Sequence, residues 1–366
     1  MGNLNMNSDL RKARENFLRA VEMREPEWIP CYVFWPPATW YKYRERLIEI
    51  MKRYPSIFTK SQMQNLNFDN YQYWHKNTTA IDDWGCVWEY TFEGLEGQVK
   101  VHPLEDLTTL NNYKPPDPLK AYGPVIDSRP PKESWSEIAK RIKEERERGQ
   151  LTWGFLPHGC MFQRLYYLRG FKNFMIDLAV ERPHLKELIN MVLDYNIKLV
   201  NKWLEMDVDV IYFGDDIGAQ DRIPVNPKIF RKYLIPAYRE MFRTCRRSGV
   251  HVYLHSDGHI IEVVEDLISA GVSILNLQDR VNGIENISRI CKGKICIDLD
   301  IDRQVILPFG TPEKIEEYIQ TLIMKLGSKK GGLMFKADCY PDVPIENIEG
   351  LCRAFAKLQP LPGTRF

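Results

Sequence analysis

Residues 208–216 read VDVIYFGDD, and residues 250–258 read VHVYLHSDG. Each is an apolar, β-branched-rich run that ends in a polar cluster, Gly214-Asp215-Asp216 after Phe213 and His255-Ser256-Asp257-Gly258 after Leu254. Three further runs follow the same plan. Val272–Leu277 ends in Gln278-Asp279, Lys294–Ile297 leads into Asp298-Leu299-Asp300, and Gly332–Phe335 leads into Lys336-Ala337-Asp338-Cys339. Continuous apolar runs, rather than strict alternation, suit strands buried on both faces, as in a parallel sheet covered by helices. Helix-period stretches lie between them: Pro227–Arg247, Ile260–Ala270, Ile284–Cys291, Pro312–Leu326 and Ile345–Phe355. Asn226-Pro227 and Thr311-Pro312 each set a capping side chain before a proline at the first helical position, and Gly249, Gly271 and Gly327 stand where helices should stop. Five consecutive β-α units without a dinucleotide fingerprint predict an α/β chain of the (β/α)8 TIM-barrel type.

The first half is less regular. A helix over Asp9–Arg24 precedes a strand over Ile29–Trp35, and Trp84–His102 reads as a hairpin with Gly94 and Gly97 near its turn. Leu151–Leu156 reads as another strand, followed by two long helices, Gly159–Val180 and Pro183–Met206. The proline-rich stretch Lys114–Pro131 is flanked by patterned segments on both sides and reads as a connector within one domain. The expectation is a single barrel domain over residues 1–366, with N-terminal helical and hairpin additions.

Fifty Lys+Arg against forty-nine Asp+Glu leave a net charge of +1, which supplies no electrostatic footprint for nucleic acid or an anionic membrane. No run approaches eighteen apolar residues, so no transmembrane helix is expected. The polar, charged stretch from Met1 to Glu15 lacks the apolar core of a signal peptide. Eight cysteines without paired spacing, in a chain of 366 residues, read as reduced thiols of a cytoplasmic protein. Trp84 and Trp88, taken as exposed on the hairpin, would allow a homodimer.

Chemistry in such barrels sits at the carboxyl ends of the strands. Carboxylates, a histidine and a cysteine collect there. Any single acid after a strand also serves as a helix cap or turn former. His255 and Asp257, two residues apart in extended chain, point to the same side. With Cys339, and with Asp216 as a fourth group, they would make a mixed N/O/S zinc site. The alternative makes His255 a hydrogen-bonded core histidine bonded to Asp216, Asp257 a helix cap and Cys339 a small buried hydrophobe. His158, in Pro157-His158-Gly159-Cys160, is a further strand-end candidate. Aromatic residues from Tyr32 to Trp40 lie at the same rim and would wall an apolar substrate or serve as core.

Several segments in order resemble the uroporphyrinogen decarboxylase superfamily. They are Phe17–Glu22 with Trp28-Ile29-Pro30, Gly214–Gln220 with Phe230 and Pro236, His255-Ser256-Asp257-Gly258, Gly271-Val272, Gly310–Glu313 and Val343–Ile348. The resemblance implies a (β/α)8 barrel and one of two chemistries. True uroporphyrinogen decarboxylases hold an acidic tetrapyrrole with arginines in the loop after the first strand, where this chain has Phe34–Trp40 and no arginine until Arg44. Substrate carboxylates would then lack charge-assisted, bidentate partners. The other branch, corrinoid-dependent methyltransferases, uses zinc held by a His-x-Cys pair and a later Cys. His255 and Cys339 match two of these, and Asp257 replaces the middle cysteine. A carboxylate in place of a thiolate makes a harder Lewis acid, matched to a substrate oxygen. The resemblance therefore implies a zinc-dependent methyltransferase that moves a methyl group from a small methylated molecule, best a methoxylated aromatic, to the cob(I)alamin of a separate corrinoid protein. Asp216, His255 and Asp257 would be catalytic, and Trp35, Trp40, Tyr212 and Gln278 would bind the substrate. A tetrapyrrole decarboxylase and a non-catalytic corrinoid-binding protein are the alternatives.

Overall fold

The structure, a computed structural model, describes residues 2–58, 74–120 and 133–359. Among the described residues ten strands, β1 (Cys31–Phe34), β2 (Thr78–Ile81), β3 (Val87–Tyr90), β4 (Gln98–Val101), β5 (Trp153–Phe155), β6 (Val210–Gly214), β7 (His251–Ser256), β8 (Ile274–Gln278), β9 (Cys296–Asp300) and β10 (Leu333–Asp338), form two sheets. The larger sheet runs β1-β10-β9-β8-β7-β6-β5 with every pairing parallel. Tyr32 and Phe34 on one edge strand and Phe155 on the other line the same cavity as His255 and Lys336. The sheet therefore curls back on itself as a TIM-type barrel, with seven parallel strands among the described residues.

The apolar runs become strands because both faces are covered. β7 and β9 are buried at every position, β6 at all but Tyr212. Outside them pack the helices Leu185–Leu204, Ile235–Arg247, Pro312–Leu326 and Ile345–Leu358. Pro312–Leu326 has the boundaries read from the sequence, with the Thr311 side chain accepting from Lys314 N. The expected helix 227–247 instead divides at Leu234, because Pro236 has no N–H to continue the first segment and opens the second. The expected helix 159–180 divides at Gly170, which adopts a φ of 81°. The connector Lys114–Pro131 is described only as far as residue 120; its remainder lies outside the described residues.

The helix Gly2–Val21 closes the amino end of the barrel. Phe17, Ala20 and Val21 pack with Trp153, Val210, Tyr253, Ile274, Cys296 and Met334, from the first halves of the strands. Arg14 grips Asp209 through two bonds, of 2.9 and 2.5 Å. Only the carboxyl end stays open. Beside it β2, β3 and β4 form an antiparallel sheet, one strand more than the expected hairpin. Asp82 anchors this sheet, accepting from Trp84 N, Cys86 N, Trp88 Nε1 and the buried Arg164 guanidinium. Trp84 and Trp88 are thus buried, and the exposed surface expected of them is absent. At its turn Gly94 (φ 67°) accepts from Ala38 N, so close that a Cβ would overlap the Ala38 backbone. All eight cysteines are free and buried. Among the described residues no helix is long and apolar enough to cross a membrane.

Candidate metal centre

Asp215 and Asp216 follow β6 and turn opposite ways. Asp215 accepts from Met161, Phe162 and Gln163 N and from Tyr238 Oη, which caps the helix Phe162–Arg169. It is a structural anchor, the ordinary role of an acid at a helix start. Asp216 points into the barrel mouth, where it accepts from Asp257 N (3.0 Å), His158 Nε2 (3.1 Å) and Gln163 Nε2 (3.2 Å). Burial pushes its carboxyl up, but His158 and the Asp257 N–H outweigh burial and hold it well below the usual range.

The loops after β6 and β7 are locked to each other. Ile217 N donates to Ser256 Oγ, Gly218 N to Asp257 O and His259 N to Ala219 O. Gly258 (φ 80°) passes so near Gly218 that any Cβ would overlap its backbone. Gln278 Oε1 accepts from Gly258 N at 2.9 Å. The Ser and Gly of His-Ser-Asp-Gly thus fix where Asp257 stands relative to Asp216.

His255, on β7, has its tautomer set from behind. Asn276 Nδ2 donates to Asp298 O at 2.8 Å, which turns Asn276 Oδ1 toward His255 Nδ1, 2.5 Å away. Nδ1 therefore carries the proton and Nε2 is bare. Burial first, then the Lys336 ammonium, hold His255 below its ordinary value and hence neutral. The bare Nε2 faces Asp216 Oδ1 at 3.6 Å and Asp257 Oδ1 at 3.7 Å. Asp257 Oδ1 is buried without a hydrogen-bond partner, and one ligand atom from each of the three residues lies within 4.8 Å of the others. Three lone-pair donors converge with no proton between them, an arrangement that a cation resolves. The residues present fit a divalent ion with one nitrogen and two oxygen ligands.

Cys339 stands outside this group. On β10 the inward positions are Lys336 and Asp338, so Ala337 and Cys339 face the helix layer. The Cys339 sulfur is fully buried beside Trp35 and Cys352. The same parity moves the first aromatic wall. Tyr32 and Phe34 line the cavity, while Trp35 packs on Trp40 (5.1 Å) and Phe58 (4.9 Å) in the core. Neither Trp35 nor Trp40 reaches the cavity. Tyr212 does, stacked on Tyr253 at 5.3 Å; Gln278 instead supports the Asp257 loop.

The cavity over the three ligands holds about 300 Å³ and is walled by Tyr32, Phe34, Phe155, Tyr212, Tyr253 and Tyr340. Two cations enter it that the motif reading passed over. Arg303, from the loop after β9, binds Asp257 Oδ2, lies 3.4 Å from Asp338 Oδ2 and stacks over Tyr340. Lys336 Nζ donates to Asp338 Oδ2 at 2.9 Å. Burial, then Asp338, push Asp300 well above the carboxylate range, toward its neutral form. Asp216, Asp257, Asp338 and Glu96 outnumber Lys336 and Arg303 on the cavity wall.

The family model described as Uroporphyrinogen decarboxylase (URO-D) matches residues 12–358. This chain belongs to the uroporphyrinogen decarboxylase family. A Uroporphyrinogen decarboxylase of Synechococcus sp. (strain CC9605) is 23% identical over 254 residues, covering 65% of this chain and 68% of that protein. Among solved structures, a methyltransferase from Methanosarcina mazei superposes with a TM-score of 0.63 at 15% identity, over 94% of this chain and 98% of that one. At that identity the likeness speaks for the barrel fold alone.

Proposed function

We propose that this family member is a zinc-dependent methyltransferase, taking the methyl group from a methoxylated aromatic and delivering it to the cob(I)alamin of a separate corrinoid protein. The observation that carries the reading is the bare His255 Nε2 set against Asp216 and Asp257 at the floor of an aromatic cavity. Loss of Cys339 from the ligand set leaves nitrogen and oxygen donors alone, a harder set than the sequence led us to expect, and one matched to an ether oxygen. Zinc held there would act as a Lewis acid on that oxygen as the methyl group leaves. Asn276 keeps the proton on His255 Nδ1, His158 and Gln163 hold Asp216 in place, and the stacked Tyr212 and Tyr253 present a flat face to the ring. The corrinoid partner docks at the open carboxyl end, since the amino end is plugged by Phe17 and its neighbours. The methyltransferase among the structural neighbours supports the same reading.

Decarboxylation of a porphyrinogen is the second reading, favoured by the curated relative and by the two buried cations. A cavity of about 300 Å³ stands at the lower limit for small-molecule sites and suits one substituted ring better than a tetrapyrrole. The test is elemental analysis of the purified protein, with cob(I)alamin methylation measured across methoxylated aromatics, methylamines, methanol and methyl thiols. Bound zinc with chelator-sensitive activity on an aryl methyl ether is expected. Full activity after complete chelation, or turnover of a uroporphyrinogen in its place, overturns the reading.

A further inference from the structure

We propose that Lys336 is a catalytic residue of this reaction, its ammonium group receiving the negative charge that develops on the substrate oxygen as the methyl group departs. The inference rests on the methyl-transfer reading above. Lys336 occupies an inward position of β10, and its side chain is only 15% exposed. Its ammonium makes one hydrogen bond, to Asp338 Oδ2 at 2.9 Å; two N–H bonds have no acceptor among the described residues. Buried charged donors without partners are costly, and a site that retains one offers it to a ligand. Asp338 does not fully absorb the charge, because the same Oδ2 also faces Arg303 Nη1 at 3.4 Å.

The ammonium is placed for this role. It lines the same cavity as His255, Asp216 and Asp257 and as the ring of Tyr212, so it faces both the candidate ligands and the aromatic wall. Arg303 is not equivalent: Asp257 and Asp338 engage its fork, and its face covers Tyr340. In the step itself the O–CH3 bond breaks with its electron pair retained by oxygen. The methyl carbon bonds to the electron pair of the partner's cob(I)alamin, and one negative charge appears on the aryl oxygen. Asp338 outweighs burial and keeps Lys336 protonated, so it stabilises the oxyanion by charge and hydrogen bonding without giving up its proton.

The experiment needs neither corrinoid nor methyl donor. 4-Nitrophenol, a chromogenic analogue of the demethylated product, is titrated into the full-length zinc-loaded and zinc-free protein, and the phenolate absorption of the bound ligand is followed with pH. In the native protein the bound phenol should ionise at least one pH unit lower than in Lys336→Met, a tenfold effect or about 1.4 kcal/mol. Lys336→Arg should retain most of it. Lys336→Met/Asp338→Asn removes both charges of the pair, so the result does not depend on a fold carrying a lone buried carboxylate. An unchanged ionisation in both Lys336→Met proteins overturns the proposal, as does Lys336-dependent binding of 4-nitrobenzoate but not of 4-nitrophenol. Methyl transfer that proceeds normally in Lys336→Met removes the catalytic role and leaves the function standing. Lys336-dependent ionisation in a protein that demethylates no aryl ether removes the reaction, and the catalytic role with it.

Discussion

Replacing Cys339 by alanine separates the ligand set proposed from the structure, Asp216, His255 and Asp257, from the one the sequence suggested. The readout is the shift in thermal midpoint on adding zinc to metal-free protein, by scanning calorimetry at one fixed scan rate. Free zinc at a hundred times its dissociation constant stabilises the folded state by about 2.7 kcal/mol. Unfolding entropy of about 2.1 cal/mol/K per residue, taken over 366 residues, gives about 0.8 kcal/mol/K and hence a zinc shift of about 3.5 °C. Cys339 is buried among apolar neighbours, so trimming its sulfur costs about 1 kcal/mol and lowers the starting midpoint by about 1 °C. The zinc shift itself should survive intact. In His255→Ala and in Asp257→Asn it should fall below about 1 °C, because each removes one of only three ligands. A Cys339→Ala protein without its zinc shift, or a His255→Ala protein that keeps it, refutes the assignment of faces on β10 and the metal centre built on it.

Further outcomes follow from the surroundings. Asn276→Leu frees the His255 ring and should weaken zinc binding about 10–100-fold in a chelator competition, whereas unchanged affinity removes the tautomer argument. Burial raises Asp279 to about 7, so the folded chain keeps a proton that the unfolded chain releases near pH 4. Stability should therefore fall as pH rises from about 4 through about 7, and in Asp279→Asn that fall should shrink by on the order of 2–4 kcal/mol between urea titrations at low and neutral pH; identical slopes count against it. Phe34→Ala should raise KM for the methyl donor several-fold, while Trp35→Phe should leave KM alone and lower only the melting temperature. The reverse pattern would return the tryptophans to the cavity.

The barrel was legible because its strands are long apolar runs between well-capped helices, a signal that survives without tertiary knowledge. Asp216, His255 and Asp257 were legible because the strand-end rule and the two-residue spacing place them by topology alone. What failed was parity. Composition alone does not say which face of a short strand turns inward, so Trp35 and Cys339 read as rim residues where Phe34 and Asp338 hold the inward positions. A signal was present in Lys336-Ala337-Asp338: two charges two residues apart on a buried strand cannot both face an apolar helix layer, so they must face the barrel interior. Arg303 carried no such mark. It lies in a loop, and only the fold brings it onto Asp257. The burial of Trp84 and Trp88 is not legible, because the Asp82 and Arg164 network around them joins segments some eighty residues apart.

The ligand atoms come from the ends of β6 and β7, held by Asn276 and His158, whereas Tyr32, Phe34, Phe155 and Tyr340 reach the cavity from other parts of the chain. On the proposed function, descendants of this protein can exchange one diet of small molecules for another by altering the distant rings while the corner that would hold the ion is inherited untouched. A protein engineer has the same freedom, and should begin at positions 34, 155 and 340.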